Sequence, residues 1–265
     1  MRFRSLTLLV SLVLGAAMVS TVVAQGRSIT PVAPVRAFEV VAEYPHDSEA
    51  FTQGLLLVDG QLYEGTGLNG ASELRLVDLQ TGDVLERHKL SEEYFGEGVT
   101  VLGDKIYQLT WLTQTAFVYD RETFEQIGTF AYDSEGWGLT NDDTSLIMSD
   151  GTDRIFFRNP ESFAVTRQIS VHDGANSIAN INELEYIDGV IWANIWRTNL
   201  VARINPETGA VIDWLDLTPL QEQVAASGER IDVLNGIASN PVTNTVYVTG
   251  KFWPTLFEIR LTKEN

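Results

Sequence analysis

Phe95-Gly96-Glu97-Gly98-Val99-Thr100 sets one carboxylate between two glycines, after an aromatic residue and before a β-branched run. The same device returns along the chain with its polar residue changed. Phe51-Thr52-Gln53-Gly54-Leu55 carries an amide, and Glu135-Gly136-Trp137-Gly138-Leu139 carries an indole. Ile181-Asn182-Glu183-Leu184 and Leu234-Asn235-Gly236-Ile237 carry amides again. The copies recur at intervals of about 40–50 residues, the period of propeller blades. Like segments opening like β units form a radial repeat, so the side chains they carry are expected to converge on one axis.

Working outward from each copy, the internal order also repeats. A first strand ends in a tight turn at Asp59-Gly60, Gly103-Asp104 and Asp188-Gly189, dipeptides suited to the positive φ angles of two-residue hairpins. Second strands follow at Gln61–Gly65, Lys105–Leu109 and Val190–Asn194, then a third strand, a turn and a fourth. The last unit stops after Leu256–Leu261, one strand short. Ala37–Tyr44, an isolated strand near the start, is expected to supply that missing edge and close the ring. The fold class expected is therefore all-β, a five-bladed β-propeller with its N-terminal strand closing the last blade. A sixth blade would have to hide in Ala175–Ala179 or Gln221–Arg230, and neither is patterned as strand; Pro219–Val224 reads as a short helix between blades.

The ends bound the domain. Arg2 and Arg4 precede an apolar run to Ala24, and Val22-Val23-Ala24 suits a signal peptidase. Residues 1–24 are thus expected to be a cleaved signal peptide, 25–36 a linker and 37–265 one propeller domain. The alternative is a retained membrane anchor, which the run is long enough to form. Export, to the periplasm or the medium, and no membrane contact after cleavage are the corresponding expectations, with a monomer as the assembly.

With 18 basic residues against 36 acidic, the chain carries a formal charge of −18. That argues against nucleic acid, whose phosphates demand Lys and Arg, and mildly favours cationic partners such as a peptide amino terminus. There is no cysteine, hence no disulfide and no thiolate metal site. The three histidines stand singly, and His88, between Arg87 and Lys89, reads as solvated; no metal and no cofactor are expected. A cation held by backbone carbonyls in the central channel stays open. Phosphate loops, Gly-x-Ser-x-Gly and His-Glu-x-x-His are absent.

What stands out is aromatic and amide enrichment at equivalent blade positions. Trp111 and Trp196 each follow a second strand, and Lys251 stands where the last second strand ends, in Val248–Trp253. The bland reading of any one of these indoles is packing between blades, and it suits Trp192 and Trp214. For Glu97 the bland reading is a glycine-flanked acidic turn, which weakens because Glu97 aligns with Gln53, Trp137 and Asn182.

Taken together, Phe51-Thr52-Gln53-Gly54, Phe95-Gly96-Glu97-Gly98, Leu109-Thr110-Trp111, Glu135-Gly136-Trp137-Gly138, Asn182-Glu183-Leu184, Asn194-Ile195-Trp196 and Gly250-Lys251 resemble the glutamine cyclotransferases of the plant and bacterial type. These are five-bladed propellers, unrelated in fold to the zinc-dependent animal enzymes. The resemblance runs from about Phe38 to Leu261. It implies a transferase that converts the N-terminal glutamine of peptides and proteins to pyroglutamate and releases ammonia. By the same resemblance Glu97 is the acid/base, with Lys251 and Asn182 beside it in the chemistry. Gln53 would be a polar pocket residue, and Phe51, Phe95, Trp111, Trp137 and Trp196 would wall the substrate site. Two other readings compete. One is a metal-dependent propeller lactonase or lyase, which a chelator would inactivate; the other is a non-catalytic propeller that binds peptides or sugars.

Overall fold

The computed structural model describes residues 29–262. Five four-stranded antiparallel blades surround one axis. Their innermost strands are Thr52–Val58, Gly96–Leu102, Leu139–Asn141, Ile181–Ile187 and Leu234–Asn240 in blades 1 to 5. In blade 5 the outermost strand is Phe38–Pro45, antiparallel to Thr255–Leu261 with Phe38 opposite Leu261 and Pro45 opposite Thr255. The ring is closed by the start of the chain, as its alternation predicted.

Each blade presents one apolar face to each neighbour, so the core divides into five clusters, one per junction. Trp214 lies in the cluster between blades 3 and 4, and Trp192 in that between blades 4 and 5; both are buried. Between blades 4 and 5 runs a helix, Thr218–Ala225, opened by Pro219 in its first turn. Leu220 and Val224, four residues apart and so on one helix face, are its buried residues and join the blade 4–5 cluster.

Three local expectations are revised. The end of the stretch read as a linker is docked: Val35–Arg36 pairs in parallel with the outer strand of blade 4, Val211–Asp216. Just before it, the amides of Val32 and Ala33 donate to the Asp173 carboxylate, which also accepts the Trp214 indole N–H. Asp173 itself belongs to a two-residue hairpin, His172–Asp173 with Asn176–Ser177, so part of Ala175–Ala179 is strand after all, though far too short for a blade. His88 is half-buried, its ring edge-on to Tyr119 at 4.9 Å, and burial pushes its pKa down. The signal peptide expected over residues 1–24 lies outside the described residues. Among the described residues no helix is long and apolar enough to cross a membrane.

The glycines of the repeating device serve proximity. A Cβ at Gly98 would strike the backbone of Trp137 and Leu139, and one at Gly138 would collide with the Asn182 carbonyl. Neither has a positive φ. Side-chain-free positions therefore let neighbouring inner strands approach at the axis, where five blades leave little room.

Candidate active site

In four of the five blades the inner strand carries a register shift at the polar residue of the device. The shifts fall between Thr52 and Gly54, Gly96 and Val99, Ile181 and Leu184, and Leu234 and Ile237. A bulge bends the strand and re-aims a side chain, and here it does so at one end of the central channel. Gln53, Glu97 and Asn182 turn into one cavity there, and Asn235 lies behind Gln53 in the same layer. Blade 3 has no such bulge; its inner strand begins at Leu139, just after Trp137.

The cavity has a volume of about 340 Å³. All nine residues singled out from the sequence line it, joined by Arg197, Asp232 and Val233. Its floor is polar and buried, since Gln53, Glu97, Asn182 and Lys251 are each at most 5% exposed. Its wall is made of rings, half-buried except for the exposed Trp111. Phe51 meets Phe95 edge-on at 6.0 Å, and Phe95 meets Trp111 at 5.6 Å. Trp137 meets Trp196 at 5.4 Å and 88°. Lys251 holds its Nζ 4.4 Å from the centre of the Phe51 ring, within cation–π range.

Glu97 sits at the end of a relay of amides. Asn235 Nδ2 donates to the Thr52 carbonyl at 2.9 Å and to Gln53 Oε1 at 3.3 Å, and Gln53 Nε2 donates to Glu97 Oε1 at 3.0 Å. Gln53 thus spends its amide on holding the carboxylate in place. Burial pushes the Glu97 pKa well above the ordinary carboxylate value, the charge of Lys251 opposes that rise, and Glu135 adds to it. Lys251 is pushed down by its own burial, against the attraction of Glu97 and Asp232. The two face each other without an ion pair. Desolvation outweighs their attraction and shifts both toward their neutral forms.

Two participants went unassigned in the sequence reading. Asn235 stood in the quoted device yet no role was given to it, because its use depends on the blade 5–blade 1 junction. Glu135 also stood there; its Oε2 accepts the indole N–H of both Trp111, at 2.6 Å, and Trp137, at 2.9 Å. Among the described residues no three His, Cys, Asp or Glu side chains converge so as to hold a metal ion. A second cavity, of about 320 Å³, opens between blades 4 and 5 around Trp192 and Arg203 and contains none of the nine residues.

A family profile described as glutamine cyclotransferase matches residues 11–261. The chain belongs to the glutamine cyclotransferase family. A glutaminyl-peptide cyclotransferase from Arabidopsis thaliana is 43% identical over 230 residues, covering 86% of this chain and 72% of the plant protein. The crystal structure of a glutaminyl cyclase from Myxococcus xanthus superposes with a TM-score of 0.82 at 36% identity, covering 88% of this chain and all of that one. Against the structure of a fellow member, the five-bladed architecture read from the repeats holds.

Proposed function

We propose that this glutaminyl-peptide cyclotransferase takes an N-terminal glutamine into the aromatic cavity and closes its α-amine onto its own side-chain amide, giving pyroglutamate and ammonia, with Glu97 moving the proton. The observation that carries the reading is a buried carboxylate with no ion-pair partner, held by an amide relay at the floor of an aromatic pocket in a member of this family.

Nucleophile and electrophile lie in one residue, so the protein needs to supply geometry, proton transfer and charge stabilisation. The α-amine has an ordinary pKa of about 7.7–8.0, so part of it is already neutral at pH 7. Once its nitrogen attacks the amide carbon, that nitrogen becomes acidic and gives a proton to Glu97 in its ionised form, which the attraction of Lys251 favours. Glu97 then passes a proton to the departing amide nitrogen, the C–N bond breaks and ammonia leaves. A carboxyl whose pKa lies far above the usual range suits both halves of the exchange. Charge developing on the carbonyl oxygen is met by Lys251 or by the Asn182 amide, both on the cavity floor. The rings fold the glutaminyl stem toward its near-attack shape and keep water out.

Export belongs to the same proposal. An intact mass of the mature protein that fits a start at Gln25, or its pyroglutamate form, supports the leader; a mass that retains residue 1 overturns it. The reaction itself is tested with a glutaminyl dipeptide, following ammonia release and the matching mass loss, with and without EDTA. Turnover that survives the chelator is expected. Absence of product, or product that vanishes with EDTA, sinks the reading.

A further inference from the structure

The aromatic wall of the cavity belongs to two runs of rings in edge contact, the first of which starts at Phe252 behind the lining. Phe252, Phe51, Phe95 and Trp111 form one, with centroid spacings of 5.3, 6.0 and 5.6 Å. Trp137 and Trp196 form the other. Between Trp111 of blade 2 and Trp137 of blade 3 a carboxylate stands in place of a ring contact. Oε2 of Glu135 accepts both indole N–H groups, and Glu135 itself is exposed at the rim. We propose that Glu135 is a positioning residue that joins the two runs into one wall by fixing the Trp111 and Trp137 indoles through a single oxygen, and so sets the cavity's grip on the glutaminyl stem.

Local structure makes the bridge possible. The Gly136 amide donates to the Trp111 carbonyl at 3.0 Å, which brings the segment carrying Glu135 beside the end of the blade 2 strand. A Cβ at Gly136 would strike the Tyr132 hydroxyl and the Thr110 carbonyl, so only glycine allows that approach. On its far side Trp137 lies flat against Gly151, where a Cβ would meet the ring at 2.6 Å. Trp137 is thus held from behind and at its edge. Trp111, 37% exposed, meets Phe95 edge-on and donates its indole N–H to Glu135. A hydrogen bond to a side-chain oxygen held in place outweighs one to water by enough to choose a rotamer.

The inference rests on the glutaminyl reading of the cavity, and its test separates the two. Glu135→Ala removes the acceptor. It is expected to raise KM for a glutaminyl dipeptide about tenfold while kcat stays within about twofold, and to make tryptophan emission easier to quench with acrylamide. Glu135→Gln keeps an oxygen in place and is expected to restore both KM and quenching. As Glu135 is exposed, both variants should melt with the wild type. The proposal is overturned by unchanged KM and quenching in Glu135→Ala, or by a Glu135→Gln variant as defective as the alanine one. Should the wild type form no pyroglutamate, the reading of the cavity falls, and the quenching comparison alone decides the bridge.

Discussion

Two fully buried carboxylates, Glu64 and Glu97, share the inner half of the propeller and are treated in opposite ways. Glu64 sits on the second strand of blade 1, at the seam where blade 5 closes the ring. His46 Nε2 lies 3.1 Å from its Oε1, Thr52 donates to the same oxygen at 2.8 Å, and Arg75 stands 3.7 Å from the other. The His46 Nδ1 contact to the Trp253 carbonyl, at 2.7 Å, ties blade 5 into the same cluster. Burial alone would raise the Glu64 pKa, but His46 and Arg75 turn it downward, and His46 is correspondingly raised. Glu97 has one neutral hydrogen-bond donor and a lysine beyond ion-pairing distance, so burial wins there. The contrast separates a carboxylate locked in its charged form to close a ring from one left free to gain and lose a proton.

The largest effect expected from breaking this contrast is at Glu97. Glu97→Gln keeps an oxygen for Gln53 and removes the proton carrier, so turnover should fall by about 10²–10⁴-fold. Because the folded state holds Glu97 against ionisation, the neutral amide should melt at the same temperature or higher at pH 7. A variant that keeps near-native turnover breaks the assignment, and a variant that melts markedly earlier shows that the carboxylate was stabilising after all. Glu64→Gln should do the reverse. It strands the buried His46 without its carboxylate, while Arg75 keeps Asp47 at 2.8 Å and Glu73 at 2.9 Å; the loss expected in urea titration is about 3–5 kcal/mol. The cluster is strongest between the ordinary carboxylate value near 4.5 and the imidazole value near 6.5. Below that window the share of Glu64 is lost as pH falls through its lowered pKa; above it, the share of His46 is lost as pH rises through its raised pKa.

A smaller change sharpens the claim that burial is what lifts Glu97. Trp196→Ala opens the wall beside Trp137. Aromatic pairs contribute about 0.5–1.5 kcal/mol beyond their buried area, so KM for a glutaminyl dipeptide should rise roughly tenfold. Water then reaches the floor, and the acid limb of kcat/KM should move to lower pH as the Glu97 pKa falls toward 4.5. The groups around Glu97 are Lys251, Glu135 and Tyr132. None of them is altered by the substitution, so an unmoved limb would mean that charges, not desolvation, set the pKa.

Much of this was legible in the chain because the propeller repeats. Glycine beside a polar or aromatic residue marks four of the five inner strands, Asn182-Glu183 stands in its place in blade 4, Asp-Gly turns mark the hairpins, and the orphan strand from Phe38 had one place to go. What the glycines were for was not legible, since close approach of Gly98 to blade 3 exists only once the ring is assembled. The bulges that aim Gln53 and Glu97 leave no sequence mark beyond those glycines, and the one at Asn182 lacks even that. His46 looked solitary because its partners come from the next blade and from the far end of the chain. The docking of Val35–Arg36 rests on two residues, too few for alternation to show.

The inner strand of blade 4 carries two more buried carboxylates, and they give the most delicate test of what pairing does. Glu183 reaches across the axis to accept the Leu55 amide of blade 1 at 3.2 Å, and its other oxygen is buried without a partner. Glu185 accepts from the Ser239 amide at 3.1 Å and from Thr140 at 3.3 Å. Neither has a cation, and burial lifts both, Glu185 to about 7. In the sense of Glu97 and against that of Glu64, the folded state binds a proton that the unfolded chain releases above pH 4.5. Stability should therefore decline from about pH 4.5 to about 7 and level off above. Several groups titrate across that range, so the informative quantity is the difference between wild type and Glu185→Gln. The variant should lose part of the decline, gaining in urea midpoint relative to wild type at pH 8 but not at pH 4.5. Parallel curves would show that hydrogen bonds from Ser239 and Thr140 already satisfy the ionised carboxylate. The absence of a cation would then not be what distinguishes the axis of this propeller from its seam.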